Sequence, residues 1–168
     1  MQNSTLILDH HKIDQKINRI AYQIYEDNYN QDEIIMAGIA KNGFVFATIL
    51  KERLETISNI KVILKELTID KKNPIKSKAE VKMQGEEIKN KSIVVVDDVL
   101  NSGKTMMYGL QAFLNAPLKS LSIAVLVNRS HKRYPVNANY VGMSLATTLK
   151  EHIEVSFEKP NNYTVTLS

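Results

Sequence analysis

Apolar residues recur at helical spacing from Asp9 to Asn28, at Ile13, Ile17, Ile20, Ala21, Ile24 and Tyr25, which predicts an amphipathic helix with Asp9 as its cap. Glu33 to Ile39 then reads as an apolar strand, and Phe44 to Leu54 returns to helical spacing. Ile93 to Val96 is a β-branched run with no polar alternation, which suits a strand buried on both faces of a parallel sheet. Met106 to Leu114 follows it as a helix, so strand, glycine-containing loop and helix occur twice. Asn59 to Ile69 and Lys119 to Val127 read as further strands, with short ones at Tyr140 to Ala146, His152 to Phe157 and Tyr163 to Leu167. Between Asp70 and Lys78 the chain is polar, lysine-rich and broken by Pro74, so it cannot pack a core. Ala79 to Glu86 alternates enough to return as a strand, which predicts a hairpin whose tip closes over a ligand; a solvated loop is the plainer reading.

Length and composition bound this picture without changing it. The 168 residues, 43% of them hydrophobic, fit one domain over 1–168 with a substantial core. No internal repeat is visible, no stretch approaches the ~18 apolar residues of a membrane span, and the N-terminus lacks a secretory pattern, so a cytoplasmic protein is expected. Absence of cysteine excludes disulfides, thiolate metal sites and cysteine catalysis. A net charge of +4 suits phosphorylated ligands and permits RNA, but is also common on solvated surfaces. His10 and His11 suggest a metal, but no third ligand is spaced to join them, and an exposed helix end is the simpler account. Arg129, His131, Lys132 and Arg133 form the most basic spot, readable as a phosphate or RNA contact or as a charged loop.

Candidate chemistry concentrates between Ser92 and Thr105, where the apolar run meets Asp97 and Asp98 and then a glycine turn. Asn101, Ser102, Gly103, Lys104 and Thr105 offer small side chains, hydroxyls and free backbone N–H groups where a helix begins, an arrangement that holds phosphate. Gly103-Lys104-Thr105 invites a nucleoside-triphosphatase reading, but the required glycine five residues earlier is Asp98, whose carboxylate would repel phosphates. Paired acids ahead of a phosphate loop instead suit a phosphorylated sugar with a divalent cation.

The segment V-V-V-D-D-V-L-N-S-G-K-T resembles the phosphoribosyl-diphosphate signature of type I phosphoribosyltransferases. With I-L-D near the start, G-I-A-K-N-G, E-L-T-I and the long block I-A-V-L-V-N-R-S-H-K-R-Y-P-V-N-A-N-Y-V-G, the chain is similar over nearly its full length to the bifunctional pyrimidine-operon attenuator and uracil phosphoribosyltransferase branch. That resemblance implies an α/β parallel-sheet type I phosphoribosyltransferase fold with flanking helices, a flexible flap hairpin and a small hood built partly from the C-terminal strands. It implies Mg²⁺-dependent transfer of phosphoribosyl from phosphoribosyl diphosphate to a nucleobase, and a homo-oligomer, dimer or tetramer. Carried onto this sequence, Asp97 and Asp98 serve catalysis at the ribose hydroxyls and assist the metal indirectly. Residues Asn101 to Thr105 hold the 5′-phosphate, Ala40, Lys41, Asn42 and Gly43 the diphosphate, Lys71 and Lys72 belong to the flap, and Val127, Asn128 and Arg129 to the base pocket.

Departures from the branch bear on the base and the mechanism. Lys41, Asn42 and Gly43 replace its usual Thr-Arg-Gly, the region of its usual Tyr-Arg pair offers Lys71 and Lys72 instead, and Asn128 and Ser130 replace Asp and Gly. Asn101 occupies a position where purine enzymes carry a proton-handling Asp, a role an amide cannot take. With the absence of an aromatic, acidic C-terminal tail, this favours uracil over a purine. A nucleotide-sensing RNA-binding regulator is the rival from another class; Asn18 and Tyr22 on the first helix, where that branch tends to show Thr and His, count against it.

Overall fold

The structure, a computed structural model, describes residues 4–83 and 85–168. Chain order runs β1 (Thr5–Leu8), α1 (His10–Asn28), β2 (Glu33–Ile39), α2 (Asn42–Ile57), β3 (Lys61–Thr68), β4 (Glu80–Val81), α3 (Gly85–Ile88), β5 (Ser92–Leu100), α4 (Lys104–Leu110), a 3₁₀ turn (Gln111–Phe113), β6 (Ser120–Arg129), β7 (Tyr140–Leu145), β8 (Ile153–Ser156) and β9 (Thr164–Leu167). Six strands form a sheet in the order β4-β3-β2-β5-β6-β7, parallel throughout except for β4. The hood is a separate antiparallel sheet, β1-β9-β8, that joins the two ends of the chain.

The core explains why β2 and β5 carry unbroken apolar runs. Ile34 and Met36 pack on the face that α1 and α2 cover, with Ile13, Ile17, Ile20, Phe46, Leu50 and Leu54, all fully buried. Ile35, Ala37 and Ile39 turn to the opposite face and meet Met106 and Phe113. A strand covered on both faces has no position where a polar side chain reaches water. Asp9 caps α1 as expected, its carboxylate accepting from the Lys12 N–H at 2.9 Å.

Several expected bounds shift, each for a physical reason. The returning strand expected over 79–86 pairs only through Glu80 and Val81, because the Met83 N–H bonds back to the Val81 carbonyl and turns the chain off the sheet edge. Gln84 lies outside the described residues, and Glu86 and Glu87 then open the short α3, where acids favour a helix start. α4 begins at Lys104 rather than Met106 because Gly103, with φ of 83°, turns the chain into it. β6 runs on to Arg129, so Asn128 lies within the strand, and β5 runs on to Leu100, so both acids lie on a strand rather than after one. β1 was not anticipated at all. His10 is less exposed than a free helix end: its Nδ1 accepts from the Tyr163 N–H and its ring meets Tyr163 edge-on at 4.9 Å.

One tie across the first helix carries a test. The Tyr140 hydroxyl, on β7, donates to Asp27 on α1 at 2.8 Å, and burial together with that carboxylate pushes the phenol well above its ordinary pKa. Tyr140→Phe keeps the ring and removes the bond, so stability is expected to fall by about 1 kcal/mol, roughly 2–4 °C in Tm for a chain of this size. Thermal unfolding checks this; an unchanged Tm would show that the bond adds nothing. No helix among the described residues is long and apolar enough to cross a membrane.

Candidate active site

Because β5 continues through them, Asp97 and Asp98 point to opposite faces of the strand. Asp97 is only 5% exposed, and its Oδ1 accepts from the Asp98 N–H at 3.0 Å. Burial, reinforced by the negative Asp98, pushes its pKa well above the usual carboxylate range, and Lys71 opposes this in part. Asp98 is more open; its Oδ1 accepts from the Val99 N–H at 2.9 Å and its Oδ2 from the Asn42 amide at 3.0 Å.

Each acid lines a different cavity. Asp97 borders one of about 100 Å³, closed by Lys71 and residues 99–106. Asp98 borders one of about 570 Å³, shared with Ala40, Lys41, Asn42, Thr68, Ile69 and again Lys71. Lys71 therefore joins the two, whereas Lys72 contributes its backbone N–H to the Asp70 carboxylate that shapes the start of the flap. In the small cavity the Ser102 hydroxyl accepts from the Lys104 N–H, and the Ser102 carbonyl is held by the Arg133 and Tyr134 N–H groups. Around the larger one the Ala40–Lys41 peptide is cis, and the Lys41 carbonyl accepts from Phe44 and Val45 at the start of α2. Gly43 has no room for a side chain: a Cβ would lie 2.8 Å from the Val96 carbonyl and 2.9 Å from Asp97 Oδ1.

The residues expected to touch the base divide. Val127 is fully buried, with its side chain in the core. Asn128 is partly exposed; its oxygen accepts from Lys132 Nζ at 2.6 Å and its nitrogen faces the Ser144 hydroxyl at 3.4 Å. Arg129 spans a gap, donating to Asn101 Oδ1 at 3.2 Å, Thr147 Oγ1 at 2.8 Å and the Thr148 carbonyl at 3.0 Å, so it ties the phosphate-type loop to the loop after β7. His131 also bonds the Thr147 carbonyl. Lys132 reaches the Leu100 carbonyl and bonds the Arg129 carbonyl, and burial with the neighbouring Arg129 lowers its pKa. Most of the basic cluster is thus engaged within the fold. Sequence reasoning saw it as a run of charges and missed Lys132 as the partner of Asn128; the four-residue spacing from a strand-end amide was the available signal.

Two acids on consecutive strand positions separate a small loop cavity from a larger one. The model of the phosphoribosyl transferase domain matches residues 3–159, and the chain belongs to that family. Its relatives include the bifunctional protein PyrR of Brevibacillus brevis, 35% identical over 92% of this chain and 90% of that protein, and PyrR of Streptococcus thermophilus, 36% identical over 89% and 87%. Among solved structures, the hypoxanthine phosphoribosyltransferase of Trypanosoma cruzi superposes with a TM-score of 0.75 at 16% identity, covering 96% of this chain and 95% of its own. The fold is that of the type I phosphoribosyltransferases.

Proposed function

We propose that the chain transfers phosphoribosyl from phosphoribosyl diphosphate to uracil, giving UMP and diphosphate. The observation that carries this reading is the division of the two acids between two cavities bridged by Lys71. A 5′-phosphate fits the small cavity, where residues Asn101 to Thr105 supply N–H and hydroxyl donors. Ala40, Lys41 and Asn42 line the larger one, which would take the diphosphate. The ribose then lies across β5 with its hydroxyls at Asp97 and Asp98. A carboxylate beside a ring that gains positive charge as the diphosphate leaves stabilises the transition state more than the ground state.

The donor set fits Mg²⁺ brought in with the substrate. Asp97 and Asp98 offer carboxylate oxygens at the two cavities, and a hard cation held by few protein ligands fills its shell with phosphate oxygens and water. Bound there, it would offset charge on the departing diphosphate.

Incubating the protein with Mg²⁺, phosphoribosyl diphosphate and each of uracil, orotate, hypoxanthine, guanine, xanthine and adenine, and measuring diphosphate release, tests the proposal. Uracil should rank first. Preference for hypoxanthine or guanine would overturn the assignment of the base, and silence with every base would favour a nucleotide-sensing regulator. Asn128→Asp supplies a second check. It converts the bond to Lys132 into an ion pair and removes the donor facing Ser144. An unpartnered buried polar group costs ~1–3 kcal/mol, so the ranking of bases should change, with uracil still first. A uniform fall across all bases would mean that Asn128 only supports the loop.

A further inference from the structure

Asn42 is the first residue of α2 and sits at the lip of the larger cavity. Its amide nitrogen carries two hydrogens, and both are used: one goes to Asp98 Oδ2 at 3.0 Å and the other to the Val155 carbonyl at 2.9 Å. The orientation of the amide follows from its partners. Turned over, it would set an oxygen against a carboxylate and a carbonyl, neither of which can donate. Val155 belongs to β8 and is 4% exposed, packed into the core with Val165 of β9, so its carbonyl is a fixed point of the hood. Asp98 is thereby held from two sides, by the N–H of the next residue on its own strand and by an amide anchored to the hood. Gly43, the next residue along, rests against Asp97. Two consecutive residues at the start of α2 therefore meet both acids of the site.

We propose that Asn42 is a positioning residue: its amide transmits the docking of the hood strand β8 to the Asp98 carboxylate and fixes that carboxylate in the orientation it needs at the ribose. This rests on the reading of Asp98 given above and adds to it. Asn42 acts through Asp98 rather than as a ligand of the diphosphate, and the hood becomes part of the catalytic apparatus although it brings no acid or base of its own to the reaction.

A double-mutant cycle between Asn42 and Asp98 tests this, with kcat and KM for phosphoribosyl diphosphate measured for Asn42→Ala, Asp98→Asn and the pair. Asn42→Ala should lower kcat by about tenfold while KM stays within about twofold, the pattern of a lost orientation rather than a lost contact. In the Asp98→Asn background the same change should lower kcat by less than about twofold, since the group it orients has already lost its charge. Asn42→Asp guards against a folding artefact. It keeps the shape and favours the helix start, yet presents an acceptor to Asp98 and to Val155, and kcat should fall at least as far as in Asn42→Ala. A full tenfold loss in both backgrounds, a rise in KM without loss of kcat, or wild-type kcat in Asn42→Asp would each overturn the proposal. Wild-type turnover in Asp98→Asn alone would instead strike at the role of Asp98, and the inference would fall with it.

Discussion

Asp98→Asn is expected to lower turnover by at least about tenfold, equivalent to about 1.4 kcal/mol of barrier, with the fold retained. The substitution keeps the shape of the side chain and removes its charge. The loss should exceed a simple hydrogen-bond deletion for two reasons. The charge would face a ring that becomes cationic only in the transition state, and removing one preorganised electrostatic group from a site typically costs about 10²–10³ in rate, so tenfold is a floor. The amide also has a single acceptor oxygen, whereas Asp98 now uses one oxygen for the Val99 N–H and the other for Asn42. Diphosphate release at saturating substrate, with circular dichroism as the control for folding, measures the effect. Unchanged turnover with the best base would remove Asp98 from the mechanism.

Asp97→Asn is expected to act in two opposite directions, impairing the reaction and stabilising the protein. The folded state holds the Asp97 carboxyl above its ordinary pKa, with burial the larger cause and the charge of Asp98 the next. Between the unfolded and folded pKa values the native state therefore binds the extra proton. Stability contributed by Asp97 is intact below the usual carboxylate range and declines as pH rises through the folded value. At neutral pH the wild type pays this penalty and an amide does not, while an amide oxygen can still accept from the Asp98 N–H. Tm at pH 7 should rise by roughly 2–4 °C, the change that ~1 kcal/mol produces at this size, and the gain should vanish near pH 3–4, about the carboxylate range. Turnover, or affinity for phosphoribosyl diphosphate, should fall as for Asp98→Asn. A Tm that drops at pH 7 would show that the ionised form is well accommodated. Stabilisation at the expense of activity is the usual mark of a residue retained for chemistry.

Where local pattern and burial agree, the chain was legible. Glu33–Ile39 is a strand at the expected limits because every residue from Ile34 to Ile39 is buried, and Asp9 caps α1 because the carboxylate, the first turn and the apolar stripe lie together in sequence. Legibility ended where a partner lies far along the chain. Thr5–Leu8 offers only a short apolar run, too brief to mark a strand until β9 is placed beside it. The pairs of acids and of loops were visible in sequence, but the extension of β5 was not, and with it went the fact that Asp97 and Asp98 serve different cavities. Arg129 likewise reads as one charge among several until Asn101 and Thr147 are placed around it.

The pairing of Thr5 with Leu167 also sets an order of events during synthesis. The parallel sheet can assemble from residues 33–145 as they emerge, since its strands and helices alternate along the chain. The hood cannot: β1 emerges before the strands of that sheet and waits for β9, which emerges after them, and long-range closures of this kind are slow. Until then the segment from Thr5 to Leu8 is an unpaired strand edge, exposed to chance association with other nascent chains. The carbonyl of Val155 is in place only once that closure is made, so a chain arrested short of β9 would hold a formed sheet and both acids yet leave Asp98 without its anchor to the hood.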